Sequence, residues 1–268
     1  MSVLQLFHKL SKKIFKLSTK TCINTISILS FFLLWELIAR KFFSHSHSFP
    51  PPSGVIDGFL FWIKSGSFVS DILVSLSRIA IGFAIGSILG IILGVLAGLI
   101  KPIRWVTNPV IQMLRPIPPI ALVTLSIIWF GIGEMSKYFL VTWTVFFQVW
   151  ISTYLGVTKV EQRLIWAGLS LGATGIKMVR KVVLPAALPS IIIGLRTGIG
   201  IAYFSLIAAE LAGSFGGLGF RIDLSTSFFR SDVMLAAIVT LGVVGAISDA
   251  LFAKLVNSIY PWYKDITR

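Results

Sequence analysis

Few residues in this chain are of types and spacings that do chemistry. Ser214 lies in Ala212-Gly213-Ser214-Phe215-Gly216, one residue away from the Gly-x-Ser-x-Gly turn that presents a nucleophilic serine. A serine nucleophile needs a base, and the three histidines (His8, His45 and His47) all stand before residue 50. Lysines reach the apolar stretches only at their edges, so a Ser–Lys pair has no second member. His45-x-His47 is a weak metal pattern, and the single cysteine, Cys22, forms neither an intrachain disulfide nor a cysteine cluster. A Gly-x4-Gly-Lys-Ser/Thr loop is missing from the sequence, so this chain has no cradle for ATP phosphates. The expectation is a non-catalytic protein that holds no cofactor and no metal of its own. What remains is a handful of charges among apolar residues: Arg115 with Pro116, Pro118 and Pro119 behind it, Glu210, and Asp249. An ionised group in hydrocarbon is costly and needs a partner, a wet cavity or a reach to the surface. Arg115 should therefore face the bundle interior or a cavity, or snorkel to the membrane surface. Glu210 should find a cation on a neighbouring span or a backbone cap, and so, more weakly, should Asp249.

The elements that would position these groups are apolar. Of 268 residues 56% are hydrophobic and only 13% charged, against about 25% charged in soluble domains, and the mean hydropathy is +0.90. Too few charges remain to cover a soluble surface, and disorder would need low hydrophobicity. The reading is an all-α polytopic membrane protein. About 20 mostly apolar residues cross the bilayer core, and six stretches qualify: Cys22–Ala39, Leu76–Ile100, Pro109–Phe130, Lys137–Val157, Ile191–Leu211 and Val233–Val256. The first follows five lysines but leads into Ala39-Arg40-Lys41-Phe42 without a small-residue cleavage site, so it reads as a retained signal anchor. Residues 1–21 are then a cytoplasmic tail, 22–256 the transmembrane domain and 257–268 a second cytoplasmic tail.

Charge sets the orientation. With the N-terminus inside, the inner segments carry Lys9, Lys12, Lys13, Lys16, Lys20, Lys101, Arg104, Lys159, Arg163, Lys177, Arg180, Lys181, Lys254, Lys264 and Arg268. The outer segments carry only Arg40, Lys41, Lys64, Lys137, Arg221 and Arg230. This bias places both termini in the cytoplasm, and it accounts for the net charge of +14 without nucleic acid.

Outside the membrane, Pro50-Pro51-Pro52 enforces an extended lead-in, and Ser53 is placed to cap an amphipathic helix from near Gly54. Val55, Phe59, Leu60, Trp62 and Ile63 form its apolar stripe, suited to the outer interface. The second span carries Gly82, Gly86, Gly90, Gly94 and Gly98, one at every fourth position. That row makes a groove for close backbone approach, the main source of helix association in lipid, and a face on which helices could slide. Gly194, Gly198 and Ala202 repeat it, as do Gly242, Ala246 and Ala250. In the third span, Arg115-Pro116-Ile117-Pro118-Pro119 should kink or unwind the helix.

The longest inner loop, 158–190, has its own pattern. Leu164, Ile165, Gly168, Leu169 and Leu171 mark a short amphipathic helix, Gly172 stands where a left-handed C-cap belongs, and Ile176, Val179 and Val183 mark a second helix. The second should end at Leu184-Pro185-Ala186-Ala187-Leu188-Pro189.

The run Gly172, nine residues, Val182, one residue, Leu184-Pro185 resembles the coupling loop of binding-protein-dependent ABC importer permeases. That loop reads Glu-Ala-Ala, three residues, Gly, nine residues, Ile, one residue, Leu-Pro. Trp166-Ala167-Gly168 stands here for Glu-Ala-Ala, and only Ala167 agrees. Glu161 is five residues too early to replace the missing Glu. Arg115 to Pro119, Trp129 to Lys137, Leu188-Pro189, Gly194-Leu195-Arg196, Ala209-Glu210 and Gly217-Leu218-Gly219 are similar to the nitrate, sulfonate, taurine and bicarbonate branch over about residues 50–260.

The resemblance implies the all-α ABC importer permease (MetI-like) fold in the bacterial inner membrane, working as a homodimer. It further implies a cytosolic ABC ATPase partner that binds ATP and Mg, and a periplasmic or lipoprotein solute-binding protein. Trp166, Ala167, Gly168, Gly172, Val182, Leu184 and Pro185 would then couple to the ATPase. Arg115, Pro116, Pro118, Pro119 and Glu210 would lie on the translocation path or the dimer seam. The cargo would be a small anion such as a sulfonate, nitrate or bicarbonate, with a thiamine-precursor pyrimidine as the alternative within the family. An ATP-independent secondary transporter or channel is the rival outside it, favouring paired intramembrane acids and an inverted repeat.

Overall fold

The computed structural model describes residues 26–27, 29–42, 49–211 and 213–260. His8, His45, His47, Cys22, both proposed tails and the start of the first span lie wholly or mostly outside them. Among the described residues all regular secondary structure is helical. Helix α1 covers residues 29–42, α2 Pro52–Lys64 and α3 Phe68–Leu99. Helix α4 (Lys101–Leu114) is followed by a 3-10 turn at Pro119–Leu122 and by α5 (Val123–Phe130). Then come α6 (Glu134–Thr158), α7 (Gln162–Ser170), α8 (Gly175–Met178), a π turn at Val179–Val183, α9 (Leu184–Leu211), α10 (Leu218–Ser227) and α11 (Ser231–Ile259). Helices α3, α6, α9 with its lead-in from Gly175, and α11 are each long and apolar enough to cross a membrane.

The glycine row of α3 sets the packing. Gly82 lies against Val141, Gly86 against Val145, Gly90 against Val149, Gly94 against Thr153 and Gly98 against Val157, so α3 and α6 run parallel along five contacts. A Cβ on Gly86 would sit 2.8 Å from the Thr142 carbonyl oxygen, and one on Gly98 2.6 Å from Val157 Cγ1. Only hydrogen fits there, and the bare backbone lets the helices approach closely. Helix α9 runs antiparallel to α6 on its other side, with Gly194 against Ser152 and Gly156 against Ser190. Ile79, Val141, Val145, Val149, Ile199, Ala202, Tyr203 and Leu206 form the buried core between the three. The third small-residue row behaves otherwise. Gly242 has open space where a Cβ would go, and Ala246 and Ala250 are exposed, so this face of α11 looks away from its own subunit.

Three expectations are corrected. The third span unwinds at Arg115–Pro118 as expected, its two segments meeting at 91°, but its start is corrected: α4 begins at Lys101 and not at Pro109. Pro116, Pro118 and Pro119 remove three backbone donors within four residues, and the α-helical ladder stops there. Pro109 by contrast is tolerated inside α4. The second loop helix does not stop at Pro185. The wider π turn precedes it, and the helix continues through Pro185 and Pro189 to Leu211, because a π turn resets the hydrogen-bond ladder just before the residue that lacks an N–H. Ser53 does not cap α2. The helix starts at Pro52 with Pro51 as N-cap, and Ser53 instead gives its N–H (3.1 Å) and Oγ–H (2.8 Å) to the Glu36 carboxylate of α1. The buried stripe of α2 is Val55, Gly58 and Trp62, with Gly58 against the Asp232 backbone of α11, while Leu60 and Ile63 are exposed.

Candidate functional site

Three features stand out: a loop elbow at one end of the bundle, a hollow at mid-height, and a charge cluster at the other end. The elbow lies beside the C-terminal ends of α3 and α6, where Val157, Val183, Ala187 and Ile191 pack together. Helix α7 closes in a Schellman motif: Ala173 N–H bonds the Gly168 carbonyl and Gly172 N–H the Leu169 carbonyl, both at 2.9 Å. Gly172 takes φ 72°, the left-handed conformation its place anticipates. Gly168 is the buried residue of α7, where a Cβ would lie 2.9 Å from Val182 Cγ2 and 3.1 Å from Met178 Cε. Gly168 and Val182 are thus in contact. Trp166, Ala167 and Pro185 are exposed and Leu184 is half-buried. The apolar residues of α7 are not covered by the chain: Trp166 is 62% exposed and Leu171 88%, with Leu164 and Leu169 also open. Glu161 is spent on Arg163 beside it, and this neighbour holds its carboxyl below the ordinary range.

The hollow, of about 250 Å³, lies where α4 and α5 break apart. It is lined by Arg115, Pro116, Ile117, Pro118 and Pro119 from the break, by Trp143, Thr144, Phe147 and Gln148 of α6, and by Ile201 of α9. The four residues of the break picked out by sequence come together here. Arg115 is exposed, and its guanidinium has no hydrogen bond or ion pair among the described residues.

Glu210 lies elsewhere. It is buried at 1% exposure, and both sorts of partner expected for it are present. Arg78 Nη1 donates to Oε1 at 2.7 Å, Gly219 N–H donates to Oε2 at 2.7 Å, and Ser75 Oγ–H reaches the same carboxylate at 2.8 Å. Arg78 also holds Glu134 through Nε (2.7 Å) and Nη2 (2.6 Å) and the Gly216 carbonyl at 2.7 Å. Asp71 takes Trp62 Nε1–H at 3.0 Å, Gly217 N–H at 3.1 Å and Arg221 Nε–H at 2.9 Å. One face of α3 thus ties down the start of α6 and the loop into α10. Sequence reading passed over Asp71, Ser75 and Arg78, although their spacing of four and three puts them on one helix face. Asp249 pairs bidentately with Arg196, both contacts at 2.8 Å, across α9 and α11.

Residues 86–259 match the family described as "Binding-protein-dependent transport system inner membrane component". The chain belongs to this family. A putative ABC transporter permease of Methanocaldococcus jannaschii is 36% identical over 93% of this chain and 95% of its own length. The taurine transport system permease TauC of Escherichia coli is 32% identical over 91% of this chain and 90% of its own. The bicarbonate transport system permease CmpB of Synechococcus elongatus is 35% identical over 75% and 70%. A solved methionine ABC transporter chain, in an inward-facing conformation, superposes with a TM-score of 0.63 over 73% of this chain and 97% of that one at 20% identity, which bears on the fold. The protein is therefore a multi-pass ABC transporter permease, a transport subunit.

Proposed function

We propose that this permease is the non-catalytic half-channel of an ATP-driven importer for a small oxyanion, a sulfonate or bicarbonate in kind. It works as a homodimer with both termini in the cytoplasm, docks a cytosolic ATPase that binds ATP and Mg, and receives its cargo from an external solute-binding protein. The observation that carries the reading is the elbow. A short helix leaves Trp166 and Leu171 bare beside its left-handed Gly172 turn, at the end of the bundle that also carries Lys101, Arg104, Lys159, Lys177, Arg180 and Lys181. Apolar side chains on a basic loop suit a protein socket better than either water or lipid. The bare Gly242, Ala246 and Ala250 row supports a second copy, and the taurine and bicarbonate relatives support the oxyanion.

The test is Gly172→Val in the reconstituted complex. A β-branched residue at φ 72° costs roughly 1–2 kcal/mol, enough to displace the end of a nine-residue helix while leaving the buried core intact. Cargo-stimulated ATP hydrolysis should fall at least tenfold while the protein inserts normally. Undiminished coupling would reject the assignment. The ligand captured by the solute-binding protein that co-purifies with this permease decides between an oxyanion and a pyrimidine.

A further inference from the structure

The position of Arg115 poses a physical problem. Residues Trp143 to Gln148, which share the hollow with it, occupy the middle of the 25-residue α6, about 15 Å from its C-terminal end. An uncompensated guanidinium at such depth is not tolerated against lipid and has to face water or an anion. The other deep charges are paired. Arg196 is bidentate to Asp249, and Arg78 is shared by Glu134 and Glu210 at the far end of the bundle. Lys137 lies beside Glu134 at 3.7 Å. Arg115 has no carboxylate within ion-pair distance among the described residues.

The hollow has the matching chemistry. Its prolines supply carbonyls but no N–H groups, so positive charge comes from Arg115 alone. Trp143 lines it with its ring, which packs against Phe139 and Phe147. Thr144 Oγ–H donates to the Val141 carbonyl at 3.0 Å, and Gln148 Nε2 gives one proton to Thr197 Oγ1 at 2.9 Å and keeps a second, while Phe147 and Ile201 offer an apolar flank. The volume of about 250 Å³ holds several waters at about 30 Å³ each, or one small oxyanion with a short tail.

We propose that Arg115, with the remaining amide proton of Gln148, forms a weak oxyanion subsite part-way along the path, with the planar guanidinium gripping two oxygens of a sulfonate or bicarbonate group. It rests on the reading of the protein as an oxyanion permease. A lone cation in a hollow open on one side suits transit, since conduction needs binding weak enough to release. A lipid headgroup phosphate offers the same oxygens, so the experiment separates the two sources.

With a single native cysteine, Cys22→Ser gives a thiol-free background. Thr144→Cys, and separately Gln148→Cys, are then reacted in the full permease–ATPase complex in nanodiscs. The reagents are sulfonatoethyl and trimethylammonioethyl methanethiosulfonate, with rates normalised to free glutathione. Electrostatic focusing in a narrow site should favour the sulfonate reagent about tenfold. Methanesulfonate should slow it, and Arg115→Gln should return the ratio to about one in a permease that still inserts and co-purifies with its ATPase. The same preference in phosphatidylcholine and phosphatidylglycerol-rich discs supports a site for a free anion. Loss of the preference in phosphatidylglycerol would mean that a headgroup holds Arg115, and overturns the subsite. So does a preference unaffected by Arg115→Gln, or no reaction at either cysteine. A wild-type complex that shows the preference yet hydrolyses no ATP on cargo delivery would sink the importer reading and leave the subsite standing.

Discussion

Replacing Arg78 by Met leaves a carboxylate stranded in the protein. The arginine makes four hydrogen bonds of 2.6–2.7 Å, two to Glu134, one to Glu210 and one to the Gly216 carbonyl. Glu134 is half-exposed and would recover water, but the Glu210 side chain is wholly buried. Glu210 would keep Ser75 and Gly219 as donors and lose its counter-charge. Breaking one side of a buried pair costs about 3–5 kcal/mol, and at about 2–4 °C per kcal/mol for a chain of this size Tm should fall by roughly 6–20 °C. Glu210→Gln alone should cost less, about 1–3 kcal/mol, because Arg78 retains its two bonds to Glu134. The decisive measurement is the double variant Arg78→Met/Glu210→Gln, followed by tryptophan fluorescence during thermal unfolding in detergent. A neutral amide accepts the Gly219 and Ser75 bonds without a stranded charge, so at least half of the loss should return. A Tm drop below about 2 °C for Arg78→Met, within the scatter of neutral surface changes, would refute the reasoning. So would a double variant no better than Arg78→Met.

Trp166→Ala should leave Tm unchanged, since the side chain is 62% exposed, yet lower cargo-stimulated ATP hydrolysis in the assembled complex; a stability loss with normal coupling would reverse that assignment. Gly90→Leu should abolish stable insertion or cost more than the ~1–3 kcal/mol of ordinary overpacking, because its Cβ would meet the Phe146 carbonyl oxygen and Trp150 nitrogen at 3.0 Å; expression level and thermal unfolding check it. Asp249→Asn should cost below about 1 kcal/mol, as for a pair open to water, because the two side chains are 54% and 40% exposed. A drop of several kcal/mol in the same unfolding assay would mean that lipid covers them.

The sequence by itself determined the fold class, the family and the elbow. Composition excludes a soluble surface. A glycine at every fourth position of α3 has one steric use, and Gly172 at its spacing from Val182 and Pro185 carries both the left-handed cap and the family pattern. These are short-range consequences of side-chain type, legible along the chain. Only the tertiary structure decided which faces remain bare and which charges meet. By resemblance Glu210 groups with Arg115 on the path or the dimer seam, but α3 sets Ser75 and Arg78 against it and makes it an anchor at the other end. Pro109 and Pro116 are one residue type, yet α4 absorbs the first and the chain turns by 91° after the second, because Pro116, Pro118 and Pro119 together remove more donors than a helix can lose. Leu164, Leu169 and Leu171 mark an apolar helix face that this subunit leaves uncovered. Burial and ion pairing are sums over residues far apart in the chain, and no local pattern encodes them.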